Sequence, residues 1–471
     1  MKSNLQELFF VALLPVVLLV AWTVAGVPVH LDTLLLASIG EKSVSGGSYI
    51  SDFIDISPPM GFWYYAPIIP ISNITGVGLE TTTWLYLAFI PVIPTLLILN
   101  TTREHVGVNI GFVYLIALLM VTLHNLSEAM NKDVIALLLM SPWLVSFIVS
   151  KPETMRLRLL AAVGMIAKPY FVLLPIVVSL VHFKRDRSLR GFVHHNLPFG
   201  VVGILYLLAV YQVHPEFYKV FPELLQMYSG RMSVQFNLFR LFEMLALFLA
   251  VLIIPYYSSN LGSVSKRSLL ISMVFLVIGL LQFKGLRYHY FGCAVFLGFL
   301  VLNLMFENDG KKLLKAIAVL MLSYCSVTLM LSNNMSQTIQ YSQYKSALSN
   351  MEYKGQALLL TCPNGFELHL PYFTALKFDL VLHSAWIICK GMGSADESSI
   401  NTYVDLTLSR IKEGEIDFIV RTVRNDGNGQ DILDSAFAQI EKSVVLHKSD
   451  TFFLTNKKLI IYELRGKVES L

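Results

Sequence analysis

The sequence predicts an α-helical polytopic membrane protein of about 10–11 transmembrane helices with a small C-terminal α/β domain. Three observations carry this. Of its 471 residues, 55% are hydrophobic and only 14% charged, where a soluble globular domain carries about 25% charged. The mean hydropathy is +0.61. Apolar stretches also recur at span length, for which about 20 residues suffice to cross the hydrocarbon. Together these exclude an ordinary soluble enzyme, and the formal charge of +4 matters less than where the basic residues fall.

The apolar runs lie near 8–27, 82–99, 106–123, 133–149, 159–183, 196–213, 238–256, 268–283, 289–306 and 316–333. The first follows Lys2 but is longer than a signal-peptide core and ends in no small-x-small site, so it reads as a retained helix. Cytoplasmic loops collect Lys and Arg. Arg103, the Lys151, Arg156 and Arg158 group, "KRDRSLR" at 184–190, Lys266-Arg267, and Lys311, Lys312 and Lys315 mark such loops. With the N-terminus cytoplasmic, the first four spans satisfy this rule.

The run 159–183 then has basic residues on both flanks, and a single crossing would export one of them. Lys168-Pro169 in its middle resolves the conflict, because proline lacks a backbone donor and disfavours helix at the preceding residue. A broken hairpin is expected, up through 159–167 and back through 170–183, with arms of about 14 to 21 Å at 1.5 Å per residue. Arms that short place the tip within protein or against a wet cavity. A single tilted helix is the alternative.

Under this orientation one exoplasmic face collects the 28–81 loop, "HNLSEAMNKD" (124–133), the 214–237 loop, "QFKGLRYHY" (282–290) and residues 334–471. The chain divides into a transmembrane part, 1–333, and an exoplasmic part, 334–471. In the latter, "ALLLT", "FDLVL", "IDFIV", "TFFLT" and "LIIYEL" read as strands and "DILDSAFAQIEKSV" as a helix. Cys293 and Cys325 fall in apolar runs as packing residues. Cys362 and Cys389 could pair if their domain is exported.

The ionisable residues near helix ends concentrate on that face. Asp32 opens "LDTLLLASIGEK", whose spacing suggests an interfacial helix. Asp52 and Asp55 precede Pro58-Pro59 in the same loop, Lys132-Asp133 open the fourth span, Lys168 tips the hairpin, and Lys284 to His289 join two spans. Charges at membrane depth are costly and mark substrate paths. Carboxylates with lysines and a histidine suit a reaction that needs a base and a stabilised anionic leaving group. Each has a plainer reading. Asp52 and Asp55 could cap turns or the helix after Pro58, Lys132-Asp133 could be a solvated helix start, and Lys284, Arg287 and His289 could face lipid headgroups.

The stretch "GGSYISDFIDISPP" following Asp32 resembles the first exoplasmic loop of polyprenyl-phosphate-sugar-dependent glycosyltransferases of the GT-C superfamily. These are relatives of the dolichyl-phosphate-mannose-protein mannosyltransferases and the aminoarabinose transferases. Gly46 or Gly47, Tyr49, Asp52, Asp55, Pro58 and Pro59 follow that loop's order. "MNKDVIALLLMSPWL", "AAVGMIAKPYFVLLPI" and "LQFKGLRYHY" are similar to further segments of the family, the last supplying Gln282, Lys284, Tyr288 and His289.

The resemblance implies an inverting transfer. Asp32 would be the general base on an acceptor hydroxyl or amine, while Lys132, Lys168, Lys284 and His289 would hold the lipid phosphate as it leaves. Tyr49, Asp52, Asp55, Asp133, Gln282 and Tyr288 would organise the loop or bind acceptor. Two departures stand out. Thr33 occupies the place of a second acid in many relatives, and Lys132-Asp133 replaces a commoner Arg-Glu pair. No cluster with metal-ligand spacing is apparent along the chain, so no obligatory cofactor or metal is expected. The expected partners are a polyprenyl-phosphate-linked sugar donor, a glycan, lipid or protein acceptor, and membrane lipids, with no nucleic acid. The expected location is the inner or plasma membrane. A lipid-linked-sugar flippase or transporter and a non-catalytic membrane scaffold are the competing readings.

Overall fold

The computed structural model describes residues 2–26, 29–55, 57–103, 110–124, 126, 131–229, 249, 262–281, 290–307, 353–360, 375–380, 397–424, 431–454 and 457–464. It opens with α1 (Lys2–Ala25), which covers the first expected span. Val11, Leu14, Leu18 and Trp22 are buried, while Phe9, Val16, Val20 and Val24 are exposed. The helix is apolar on both its packed and its open face, as a lipid-facing helix must be.

Next comes α2 (Leu31–Val44), the interfacial helix expected from the spacing after Asp32. Its first turn is capped by His30, whose Nδ1 accepts from the Asp32 amide at 3.2 Å. Two short helices follow, α3 (Met60–Trp63) and α4 (Ile68–Thr75). The expected run 82–99 is a bent pair, α5 (Leu79–Phe89) and α6 (Val92–Thr102). The break falls at Ile90–Pro91, where proline removes a backbone donor.

After α7 (Ile110–His124), four consecutive helices set the geometry of the molecule. These are α8 (Lys132–Ile148), α9 (Met155–Met165), α10 (Leu173–Asp186) and α11 (Leu189–Val213). Between α9 and α10, Lys168 is extended and Pro169–Val172 form one 3₁₀ turn. The run 159–183 is therefore broken where proline predicted, not a single tilted helix. Its reversal is confirmed by contacts at both ends: Lys168 meets Asp133 at the start of α8, and His182 meets Glu153 just beyond the end of α8.

Helices α12 (Pro215–Ser229), α13 (Ser263–Leu281) and α14 (Phe291–Glu307) complete the described helical part. Cys293 is buried, and its carbonyl accepts from Ser272 Oγ at 3.1 Å, the packing role expected of it. The expected spans 238–256 and 316–333 lie outside the described residues, apart from Leu249, as do Cys325, Cys362 and Cys389.

Among the described residues, three helical stretches are long and apolar enough to cross a membrane: Leu79–Thr102, Leu189–Val213 and Ser263–Leu281. On α11, Val193, Leu197, Val201, Ile204, Leu208 and Tyr211 are all exposed. A continuous apolar face of that length has no place on a soluble surface and fits contact with lipid.

The C-terminal unit is a five-stranded sheet in the order β2-β1-β3-β5-β4. Its strands are β1 (Lys354–Leu360), β2 (Ala375–Phe378), β3 (Phe418–Arg424), β4 (Leu446–Leu454) and β5 (Lys457–Leu464). The first three run parallel, and β5 is antiparallel to β3 and β4. Helices α15 (Glu397–Lys412) and α16 (Asp431–Ser443) carry Tyr403, Val404, Phe437 and Ile440 into a separate core against Leu358 and Ile419. Strands expected at "ALLLT", "IDFIV", "TFFLT" and "LIIYEL" are present, whereas the one expected at "FDLVL" is displaced: β2 ends at Phe378, and Asp379 and Leu380 lie beyond it. Helix α15 is the addition, its buried residues diluted by Ser, Asn and Asp.

The unit also touches the helical part. Leu380, just past β2, packs into the main core, and Arg410 Nη1 donates to the Ser51 carbonyl at 3.3 Å.

Candidate active site

The start of α8, the α9–α10 break and the loop after α2 converge. Asn131 caps α8 by accepting the Asp133 amide at 3.2 Å, which turns the Asp133 carboxylate inward. Its Oδ2 meets Lys168 Nζ at 2.6 Å, with the two side chains only 4% and 13% exposed. Such a pair holds only while both charges remain, because removing one strands the other in a low dielectric. Asp133 Oδ1 is buried with no hydrogen-bond partner, so the carboxylate retains accepting capacity toward the site.

Lys132 points the other way. Its Nζ donates to Ser57 Oγ, and Gly61 gives its stem room, since a Cβ there would lie 3.1 Å from Lys132 Cδ. The Ser57 amide in turn donates to Asp55 Oδ1 at 2.5 Å, and the Tyr49 hydroxyl donates to the Asp55 carbonyl. Asp55 thus closes a turn into α3 and also faces Lys132. Burial pushes its carboxyl above the ordinary range, opposed by the Lys132 charge and the Ser57 bonds and reinforced by Asp32.

Asp32 differs from these. Its side chain is half exposed, and His30 Nδ1 stands 4.0 Å from its Oδ2. It lies within electrostatic reach of Lys168 and Asp55 without being tied to either. Behind it Thr33 is fully buried and bonds the Tyr65 side chain, which also feels Asp32 and Asp133. The residue in the place of a second acid therefore points into packing, away from the open face occupied by Asp32.

Of the residues singled out in the sequence, Asp32, Tyr49, Asp55, Lys132, Asp133 and Lys168 come together. Asp52 stands apart: its Oδ2 accepts from the Ser48 amide at 2.8 Å, the turn-closing role weighed as its alternative. Gln282, Lys284, Tyr288 and His289 lie outside the described residues. Ser57, Asn131, His30 and Tyr65 complete the constellation. Asn131, directly before a helical run, carried a readable capping signal, but nothing local distinguished Ser57 or Tyr65.

No family model matches the chain, and no curated protein matches it. Among solved structures, the chain is similar to ArnT from Cupriavidus metallidurans bound to undecaprenyl phosphate. The TM-score is 0.46 at 12% identity, over 98% of this chain and 99% of that one. Its apo state gives a TM-score of 0.44 at 12% identity, over 98% of each chain. The mycobacterial arabinofuranosyltransferase AftD (mutant R1389S, class 2) gives 0.45 at 12% identity, over 96% of this chain and 41% of that one.

Proposed function

We propose that the protein is an inverting glycosyltransferase that moves a sugar from a polyprenyl-phosphate donor to an acceptor at the exoplasmic face of the membrane. The observation that carries this is the half-exposed Asp32 within electrostatic reach of Lys168, itself held by Asp133, in a chain with lipid-facing helices. Asp32 takes the acceptor proton as the acceptor attacks the anomeric carbon. The bond from that carbon to the phosphate oxygen breaks, and the polyprenyl phosphate leaves with the electron pair.

Lys132 and Lys168 stabilise the developing phosphate charge, the larger contribution in transfers of this kind. Each ammonium has three donors, and Lys132 directs one of them to Ser57. The five charged groups Asp32, Asp55, Lys132, Asp133 and Lys168 total −1 when all are ionised. Further cations are required to hold an anionic donor, and Lys284 and His289 are the candidates from sequence.

An apolar cavity of about 390 Å³ between α4 and α5, lined by Ile71, Val77, Leu85, Phe89 and Ile90, suits the start of a polyprenyl chain. Its Tyr86 donates to the Tyr64 carbonyl at 2.6 Å, adjacent to the Tyr65 of the site.

The decisive measurement uses purified Asp32→Asn protein in detergent with a radiolabelled polyprenyl-phosphate sugar. Transfer falls to background while folding and insertion persist; an Asp32→Asn enzyme with wild-type turnover removes Asp32 as the base. Mass spectrometry of envelope glycans and glycolipids from a deletion strain identifies the sugar by the lost mass increment, and the acceptor by the molecule that lacks it. The broken helix at Lys168 is also a transporter device. Movement of donor lipid across reconstituted liposomes with no glycosidic bond formed would select that reading instead.

A further inference from the structure

At the other end of α8–α11, one α8 length of about 25 Å from the Lys168 end, lies a second cluster of chemistry-bearing side chains. Glu153, in the loop between α8 and α9, places Oε1 2.9 Å from His182 Nε2 of α10. Its Oε2 lies 3.4 Å from His195 Nδ1 of α11. Trp143 Nε1 of α8 fixes the carboxylate with a 2.6 Å bond to Oε2. Three donor atoms, one from each residue, lie within 4.8 Å of one another.

We propose that Glu153, His182 and His195 form a site for a divalent transition metal, zinc by the chemistry of its ligands.

Two imidazoles and one carboxylate are the donor set of an open zinc site, in which the fourth position is left to solvent or an anion. The burial suits it: the Glu153 and His195 side chains are 6% and 10% exposed, and His182 at 30% leaves an approach from the surface. Orientation is already provided, since the Trp143 indole does for Glu153 what outer hydrogen bonds do for metal ligands generally.

The surrounding charges bear on the same point. The cluster opens on a cavity of about 390 Å³ whose wall includes Lys151, Arg158, Arg185, His194 and Arg267. Buried carboxylates ordinarily pair with such cations, yet two of these guanidinium groups bond to backbone carbonyls. Arg158 Nη1 donates to the His194 carbonyl at 3.1 Å, and Arg267 Nη1 donates to the Phe147 carbonyl at 2.7 Å. Glu153 meets two imidazoles and an indole. The basic wall raises the cost of a dication and favours an anion as its fourth ligand. Two polar atoms in that wall, His195 Nε2 and Arg158 Nε, are buried with no hydrogen-bond partner.

On binding, each neutral imidazole would turn the lone pair of its Glu153-facing nitrogen to the metal and carry its single N–H on the other ring nitrogen, with no net proton released. It would clip α10 and α11 to the α8–α9 loop, at the base of the hairpin whose tip carries Lys168.

The test uses full-length, tag-free protein in detergent, stripped with a chelator and titrated with Co²⁺ and then Zn²⁺. One equivalent of Co²⁺ is expected to give the visible d–d absorption of a low-coordinate nitrogen and oxygen site, and one equivalent of Zn²⁺ to bleach it. His182→Ala and His195→Ala are each expected to weaken Zn²⁺ at least 100-fold, and His194→Ala to leave it unchanged. His182, partly exposed, is the variant expected to keep its fold, checked by unchanged gel-filtration elution, and it decides the outcome. Absence of the band in wild-type protein, or equal affinity of wild-type and His182→Ala protein, overturns the site.

Discussion

In the proposed transfer, the Lys168–Asp133 pair would serve stability and chemistry at once. Lys168→Ala leaves a carboxylate that is 4% exposed without its cation, and a loss of about 3–5 kcal/mol is expected, read from thermal unfolding in detergent. The Lys168→Met, Asp133→Leu double variant should recover most of that stability, since apolar replacement of a buried pair is often neutral, while transfer stays abolished. Recovery of activity together with stability would show that Lys168 acts only through packing. Asp55 gives a pH-dependent prediction. Its folded carboxyl lies above the ordinary 3.8 because of burial, so the folded state binds the proton more tightly than the unfolded chain. The resulting stability is fully present below the ordinary aspartate range and lost as pH rises through the raised value. In that window the slope reaches about 1.4 kcal/mol per pH unit. Asp55→Asn, which keeps an acceptor for the Ser57 amide, should flatten this part of the profile of thermal midpoint against pH. Parallel profiles for the two proteins would refute it.

Among the elements, the α8–α9 contact controls where Lys168 sits. Gly164, one turn before the break, packs so closely on α8 that a Cβ would stand 2.6 Å from the Ala136 carbonyl and 2.9 Å from Met140 Cγ. Gly164→Leu therefore has to push α9 away from α8. A cost of about 1–3 kcal/mol is expected from overpacking, with a larger fractional loss of transfer, because the shift separates Lys168 from Asp133. Wild-type turnover in Gly164→Leu would mean that the helix spacing does not govern the site. The broken hairpin itself was legible in the sequence: Pro169 and the two basic flanks allowed few other solutions. The glycine contact was not, since its partner lies 28 residues away and no local pattern announces it.

For the molecule as a whole, the sheet unit and the membrane part meet over the loop that carries Asp52 and Asp55. Arg410 of α15 pairs with Asp379 at 2.6 Å and with Glu415 at 3.0 Å, the Asp379 side chain being 2% exposed, and also bonds the Ser51 carbonyl. Arg410→Ala should destabilise the sheet unit by removing the cation paired with the buried Asp379 carboxylate. It should also speed deuterium uptake in residues 46–55 while leaving α8 and α13 unchanged. Unchanged uptake in that loop would limit Arg410 to its own unit. The expected strands were legible because alternating and continuous apolar runs persist in a polar setting. The docking through Arg410 and Leu380 was not, as it joins segments hundreds of residues apart.

The sequence alone determined a helical membrane protein, the break at Lys168-Pro169 and most strands of the C-terminal unit. These are properties of composition, period and proline chemistry, all local to short windows. Only the tertiary structure decided that Asp32 stays half open while Asp55 and Asp133 are buried. It also turned Asp52 to a local turn and brought Glu153, His182 and His195 together at the far end. Burial and convergence depend on how distant helices pack against one another, and no window of the chain contains that information.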